Sequence, residues 1–257
     1  MQTYEIIPIN VGEFTQFEKS AMISGKGIGE KIVIPIVMFL IKGKDSCVLV
    51  DTGCSDPEAS LRDHSYPLRR SPDQHPIQAL RNLGIDVDDI EIVVNTHLHW
   101  DHCYNNNLFK KAKIYVQKRE LQYAICPLRQ NYRAYEASQI GMFPPWLHAV
   151  NQIQAVEGDV TILPGIDLIY LPGHTPGFQG VLVNTNNGKY LLAGDNLNLF
   201  ENIDTSEKRE HTIAGNYYSL PEYVQSLDKM NSLYDHILPG HDMKLFDYPK
   251  YPHCEKL

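Results

Sequence analysis

Apolar and polar residues alternate along "TYEIIPINVG" near the start of the chain, the period of two that half-buries a strand. "KIVIPIVMFLIKGKDSCVLVDTG" holds two apolar runs and predicts two strands joined by a turn at Gly43 to Ser46. The period then changes. From Pro76, a good first helical residue, "PIQALRNLG" predicts a helix that stops at Gly84, and "DIEIVVNT" returns to strand. "AKIYVQKRELQYAI" predicts a strand followed by a helix, and "DVTILPGIDLIYLPGHTPG" predicts further strand. The pair "GVLVNTNN" and "GKYLLAGDN" meets at Asn187 and Gly188, a strong hairpin signal. A last helix opens at Ser219, with Glu222 three residues on as a capping box, and puts Tyr223, Leu227, Met230 and Tyr234 on one face. Between these elements, Cys126 to Asn151 is rich in Tyr, Pro and Trp with weak periodicity. It suits either a cap over a pocket or an irregular surface excursion, and its aromatic residues from Tyr123 to Trp146 suit either an acyl pocket or the core. Strands, helices and strands again predict a layered α/β fold; with no linker, charge block or repeat, residues 1–257 read as one domain.

Composition narrows the function classes. A chain of 257 residues with 43% hydrophobic content can bury a large core. Its net charge of -8 argues against a nucleic-acid groove, which needs a basic stripe to meet phosphates. The longest apolar window, "IVIPIVMFLI", is too short to span a bilayer, and "MQTYEIIPINVGEF" lacks the pattern of a signal peptide, so a soluble cytoplasmic protein is expected. Five cysteines without a C-x-x-C pair suit a reducing compartment, with Cys54 and Cys103 as small packing residues.

The chemistry is concentrated in "VVNTHLHWDHCYNN", where His97, His99, Asp101 and His102 crowd the exit of a predicted strand. Imidazole nitrogens and carboxylate oxygens suit Zn²⁺ and other borderline divalent ions, and a loop leaving a rigid strand can converge several of them. Further donors are required from elsewhere. "LPGHTPG" presents His174, "LLAGDN" presents Asp195 and "HILPGHD" presents His241, each after a predicted strand. One of these alone would be weak; the four stretches together point to a metal centre. His64, His75, His148, His211, His236 and His253 lie outside the set and are expected in surface or hydrogen-bonded structural roles.

The series "VLVDTG", "THLHWDH", "PGHTPG", "AGD" and "PGHD" resembles the metallo-β-lactamase superfamily, over about residue 33 to residue 242. The resemblance implies a four-layered αββα sandwich of two mixed sheets with metals at one edge. It implies one ion on His97, His99 and His174, a second on Asp101, His102 and His241, and Asp195 bridging them, with Asp51 holding ligands by hydrogen bonds. Zinc is the first expectation, with manganese, iron and cobalt as alternatives. Two cations lower the pKa of a shared water so that hydroxide is available at neutral pH, which implies hydrolysis, with Asp101 as proton carrier to the leaving group.

Within the superfamily, the short tail after His241 disfavours glyoxalase II relatives, and an aspartate at position 195 in a chain without an export signal disfavours antibiotic-resistance enzymes. What remains resembles the N-acyl homoserine lactonase group, through "DTGC", the polar insertion from Ser55 to His75, "THLHWDH" and "GHD". The expected partner is therefore a small lactone, with another small lactone, ester or cyclic amide as runner-up and room for a homodimer. A non-enzymatic metal-binding protein is the competing class. The sequence departs from the lactonase pattern at one point: a tyrosine commonly stands three residues beyond the bridging aspartate, and here Asn198 does. Carbonyl stabilisation then falls to Asn198, or to Tyr217 or Tyr218 from the following loop.

Overall fold

The N-terminal alternation becomes a long antiparallel hairpin in the computed structural model, which describes residues 2–44 and 46–253. Strand β1 (Glu5–Glu18) pairs with β2 (Lys31–Lys42), placing Ile6 opposite Ile41 and Pro8 opposite Phe39. β1 runs beyond the alternating stretch because its register slips between Asn10 and Glu13 and again between Phe14 and Phe17. Each slip resets which face a residue meets, so a strict period of two ends before the strand does.

β3 (Cys47–Val50) adds antiparallel to β2 across the expected turn, where the Gly43 N–H donates to the Ser46 carbonyl at 2.8 Å; Asp45 lies outside the described residues. A two-residue β4 (Leu68–Arg69) flanks β1, while β5 (Ile92–Val94), β6 (Lys113–Gln117) and β7 (Ile153–Val156) continue from β3 in parallel. The second mixed sheet contains β8 (Val160–Leu163), β9 (Ile166–Tyr170), β10 (Gln179–Thr185), β11 (Gly188–Gly194) and β12 (His236–Pro239). Its order is β12-β11-β10-β9-β8, antiparallel except for the β11–β12 pair. The hairpin turn sits one residue earlier than the Asn187-Gly188 signal: Thr185 pairs with Gly188, so Asn186 and Asn187 form the turn. Gly188 is the first paired residue, at φ +92°, a conformation that favours glycine.

Three apolar layers separate four structural ones. Strand β2 shows why: Ile36, Met38 and Leu40 on one face pack toward helix α1 (Pro76–Asn82), while Val37, Phe39 and Ile41 on the other meet Leu168, Val181 and Leu192 of the second sheet. Two short elements follow in the chain, α2 (Trp100–Cys103) and α3 (Lys118–Ile125). The outer face of the second sheet is covered by α4 (Leu220–Met230) through Tyr223, Leu227 and Met230. Burying one such large apolar side chain stabilises by about 1.5–3 kcal/mol, which explains why helices cover both outer faces. This is the αββα sandwich expected from the sequence.

The capping box at α4 forms only by half. Ser219 accepts the Glu222 N–H, but the Glu222 carboxylate pairs with Arg119, and the Ser219 N–H donates to Gly173. Tyr234 lies beyond the helix end yet joins the same core. No helix among the described residues is long and apolar enough to cross a membrane.

Candidate metal centre

Strands β3, β5, β9, β11 and β12 deliver the candidate ligands and their nearest brace from their carboxyl ends at one rim of the sandwich. The chain leaves β3 at Asp51, held at φ +60° with its N–H on the Val94 carbonyl. That posture lets one carboxylate serve two loops. Oδ1 accepts the Thr96 N–H, and Oδ2 accepts the Thr96 hydroxyl and His102 Nδ1–H, all at 2.8 Å.

Because its hydrogen goes to Asp51, the Thr96 oxygen is left to accept from His97 Nδ1 at 3.0 Å. His174 Nδ1 donates to the Asn216 carbonyl at 3.1 Å, and His241 Nδ1 to the Pro35 carbonyl at 2.8 Å. In His97, His102, His174 and His241 alike, a proton held on Nδ1 leaves the Nε2 lone pair facing inward. His99 is turned the other way, its Nδ1 facing His174 Nε2 at 3.2 Å.

All seven sequence-predicted donors converge. His97, His99 and His174 form one group, Asp101, His102 and His241 a second, and His97, His102 and Asp195 a third that joins them, with the donor atoms of each group within 4.8 Å of one another. Asp195 lies between: Oδ1 is 3.3 Å from His102 Nε2 and 3.2 Å from His241 Nε2, and Oδ2 is 3.4 Å from His174 Nε2. The His102 contact is close but not aligned as a hydrogen bond, since His102 Nε2 and Asp195 Oδ1 are both buried without a hydrogen-bonding partner, as is His97 Nε2. Buried polar atoms in folded proteins are ordinarily satisfied. Inward lone pairs around a buried carboxylate are the arrangement that divalent cations satisfy, so the donor set fits the expected metal ions.

The electrostatics differ between the donors. Burial pushes His97 and His99 well below the usual imidazole range, and the neighbouring histidines push in the same direction. Both therefore stand neutral, the state that ligates. Burial opposes charge at His102 as well, but Asp195, Asp101 and Asp51 outweigh it and hold His102 well above its ordinary value. Asp195 resists protonation despite its burial, because His102, His241 and His174 hold it well below the carboxylate range.

The centre forms the floor of a cavity of about 450 Å³. Phe14, Phe17, Tyr66 and Trp100 give it an apolar wall, and Gln130, Asn131, Arg133 and Asn216 a polar one. The segment from Cys126 to Asn151 thus contributes part of the polar wall. Its large aromatics do not supply the apolar one: Tyr135 is buried behind the His99 ring and Trp146 lies in the core. The Ser55 to His75 insertion brings in Tyr66 and His64, the latter stacked flat on Trp100 at 3.7 Å.

Three positions tied to carbonyl stabilisation separate clearly. Asn198 lines the cavity but gives one amide hydrogen to the Met22 carbonyl at 3.2 Å, with Oδ1 buried and unpartnered. Tyr217 lines the cavity and is 44% exposed. Tyr218 packs on Tyr123, its N–H on the Gly173 and His174 carbonyls. Cys54 and Cys103 behave as packing residues: burial pushes the Cys54 thiol up to about 12 and Cys103 well above its ordinary value. Cys254 lies outside the described residues.

Two buried pairings escaped the sequence reading. His64 Nε2 bonds to Glu136 Oε1 at 2.8 Å, with Glu136 at φ +46°, which fastens the insertion to the polar-wall segment. Glu120 in α3 is fully buried and accepts four hydrogen bonds, three from the ligand loops and one from the Tyr135 hydroxyl. A signal existed for Glu120, which shares the buried face of its helix with Ala124, one turn on.

Comparison with known proteins matches this geometry to a family. Residues 33–241 match the model of the metallo-beta-lactamase superfamily. The chain is 28% identical over 188 residues to N-acyl homoserine lactonase AiiA of Bacillus thuringiensis subsp. kurstaki, covering 68% of this chain and 69% of that one. It is 28% identical over 233 residues to N-acyl homoserine lactonase AttM of Rhizobium radiobacter, covering 84% and 85%. Among solved structures, an N-acyl homoserine lactone hydrolase with N-hexanoyl-L-homoserine at its catalytic metal center superposes with a TM-score of 0.75 at 21% identity over 96% of each chain. AidC, a dizinc quorum-quenching lactonase, superposes at 0.67 and 17% identity over 95% of this chain and 89% of its own. With its sandwich, its seven converging donors and a family match running from β2 to His241, the chain belongs to the metallo-beta-lactamase superfamily.

Proposed function

We propose that this protein is a hydrolase that holds two divalent metal ions and opens the ring of a lactone, with acyl homoserine lactones as the leading substrate class. The observation that carries the reading is the convergence of seven donors, five of them buried, beneath an amphipathic cavity. His97, His99 and His174 would hold one ion, Asp101, His102 and His241 the other, with Asp195 shared. When bound, such ions make hydroxide available near neutral pH and polarise the scissile carbonyl. The chain's own residues do the rest. The apolar wall of Phe14, Phe17, Tyr66 and Trp100 takes an acyl chain, and the polar lining takes its amide. Asp101, partly open to the cavity, carries a proton to the departing ring oxygen.

The test is a pH-stat ring-opening assay across lactones of different acyl length, with elemental analysis on the same preparation. Expected are two ions per chain, zinc foremost with manganese, iron or cobalt as alternatives, and hydrolysis lost on stripping. A preparation holding two ions that opens no lactone, ester or cyclic amide would instead favour a metal-binding protein.

Of the three candidate carbonyl donors, Tyr217 has the freest access, since Asn198 is buried with one of its two amide hydrogens on Met22 and Tyr218 packs on Tyr123. Tyr217→Phe is expected to lower kcat by about a hundredfold, the usual cost of one oxyanion donor. Tyr218→Phe and Asn198→Ala should stay within a few fold. Rates measured on the same lactone panel decide it: an unchanged rate in Tyr217→Phe removes this residue from carbonyl stabilisation. A separate reading, hydrolysis of a different small lactone, ester or cyclic amide, draws on the Asn198 departure and is decided by the panel's ranking.

A further inference from the structure

Glu120 carries a carboxylate into the interior with no cationic partner among the described residues. An isolated buried charge is costly, and hydrogen-bond donors are what make it tolerable. Four surround it here. Oε1 accepts the Leu98 N–H at 3.0 Å and the Tyr135 hydroxyl at 2.7 Å; Oε2 accepts the Thr175 hydroxyl at 2.7 Å and the Gly177 N–H at 3.1 Å. Leu98 lies between His97 and His99, and Thr175 and Gly177 belong to the turn that presents His174. The Tyr135 ring meets the His99 ring edge-on at 4.8 Å. At Gly177 a Cβ would fall 2.1 Å from the Glu120 backbone nitrogen, so the turn closes on this helix only because it carries no side chain there.

All four contacts fall on one side of the centre. They brace the loops whose donors, His99 Nδ1 and His174 Nε2, face each other at 3.2 Å. His102 and His241 are oriented independently, by Asp51 and by the Pro35 carbonyl. We infer that Glu120 is a positioning residue for one half of the centre: it sets the affinity for the ion held by His97, His99 and His174 and leaves the ion of Asp101, His102 and His241 little changed. This rests on the dinuclear reading given above.

The experiment titrates the metal-free full chain with Zn²⁺ against a chromophoric chelator. The parent should show two binding steps; His99→Ala marks one of them and His241→Ala the other. Glutamine at 120 keeps the shape but offers an acceptor to only one pair of donors. Glu120→Gln is therefore expected to weaken the step marked by His99→Ala by about 10- to 100-fold, the usual effect of removing a ligand's hydrogen-bonded support, with the other step within about twofold. Tyr135→Phe and Thr175→Val, which remove one donor each, should weaken that same step by less. Parental affinity at both steps, or equal weakening of both, overturns the inference. Should Glu120→Gln fail to fold, Tyr135→Phe and Thr175→Val decide on the same criterion. A parent that takes up no more than one ion overturns the dinuclear reading and this inference with it, and that result is visible before any substitution is made.

Discussion

Asp195→Ala is expected to keep about a thousandth or less of the parental hydrolysis, a loss of about 4 kcal/mol of transition-state stabilisation. Under conditions where the parent holds two ions, it should hold at most one. The reason is the position of a single carboxylate, within 3.4 Å of nitrogens from His102, His174 and His241. Removing it deletes the anion between the two groups and leaves imidazoles facing one another. Stability should follow the metal. An ion present at about a thousand times its Kd adds about 4 kcal/mol to the folded state, and each kcal/mol moves Tm by about 2–4 °C for a domain near this size. With two ions removed, chelation should therefore lower the parental Tm by about 20 °C, and that of Asp195→Ala, which holds at most one, by about half as much. Elemental analysis, ring-opening rates and thermal unfolding with and without chelator check all three. Parental metal content together with a parental rate would mean that Asp195 does not join the two groups.

Asp101→Asn is expected to lower kcat by about a hundredfold or more while retaining most of the metal. The amide matches the carboxylate in shape and keeps an oxygen that can ligate, but it cannot accept the proton that must pass to the leaving oxygen. Asp101 suits this task because its side chain remains partly open to the cavity, 3.7 Å from His102 Nε2, whereas Asp195 is enclosed. KM should move little, since the apolar and polar walls of the cavity are formed by other residues. A rate within a few fold of the parent, with metal retained, would take Asp101 out of the proton path.

The seven donors were readable because each sits in a short stretch with a fixed local form, a strand end followed by glycine or by closely spaced histidines. Asp51 was readable for the same reason, through "VLVDTG". The layers were also visible, since β2 alternates between two buried faces and α4 carries one apolar face. What stayed hidden depends on pairings between distant parts of the chain. The Glu120 carboxylate is defined by partners at Leu98, Tyr135, Thr175 and Gly177, and the His64–Glu136 bond spans 72 positions; neither leaves a periodic mark. The origin of the cavity's apolar wall was hidden for a related reason. Phe14 and Phe17 follow register slips in β1, where alternation no longer tells which face a residue meets.

The bond from His241 to the Pro35 carbonyl joins positions 206 apart and sits just past the end of β12, the edge strand of its sheet. In chain order the other six donors, His97, His99, Asp101, His102, His174 and Asp195, all precede this strand, so His241 is the last to be made. Loop closure over such a span is slow, and it is rewarded only once both sheets are in place. A chain that ends before β12 can present only six of the seven donors, so on the dinuclear reading complete loading with metal requires the last strand to be in place.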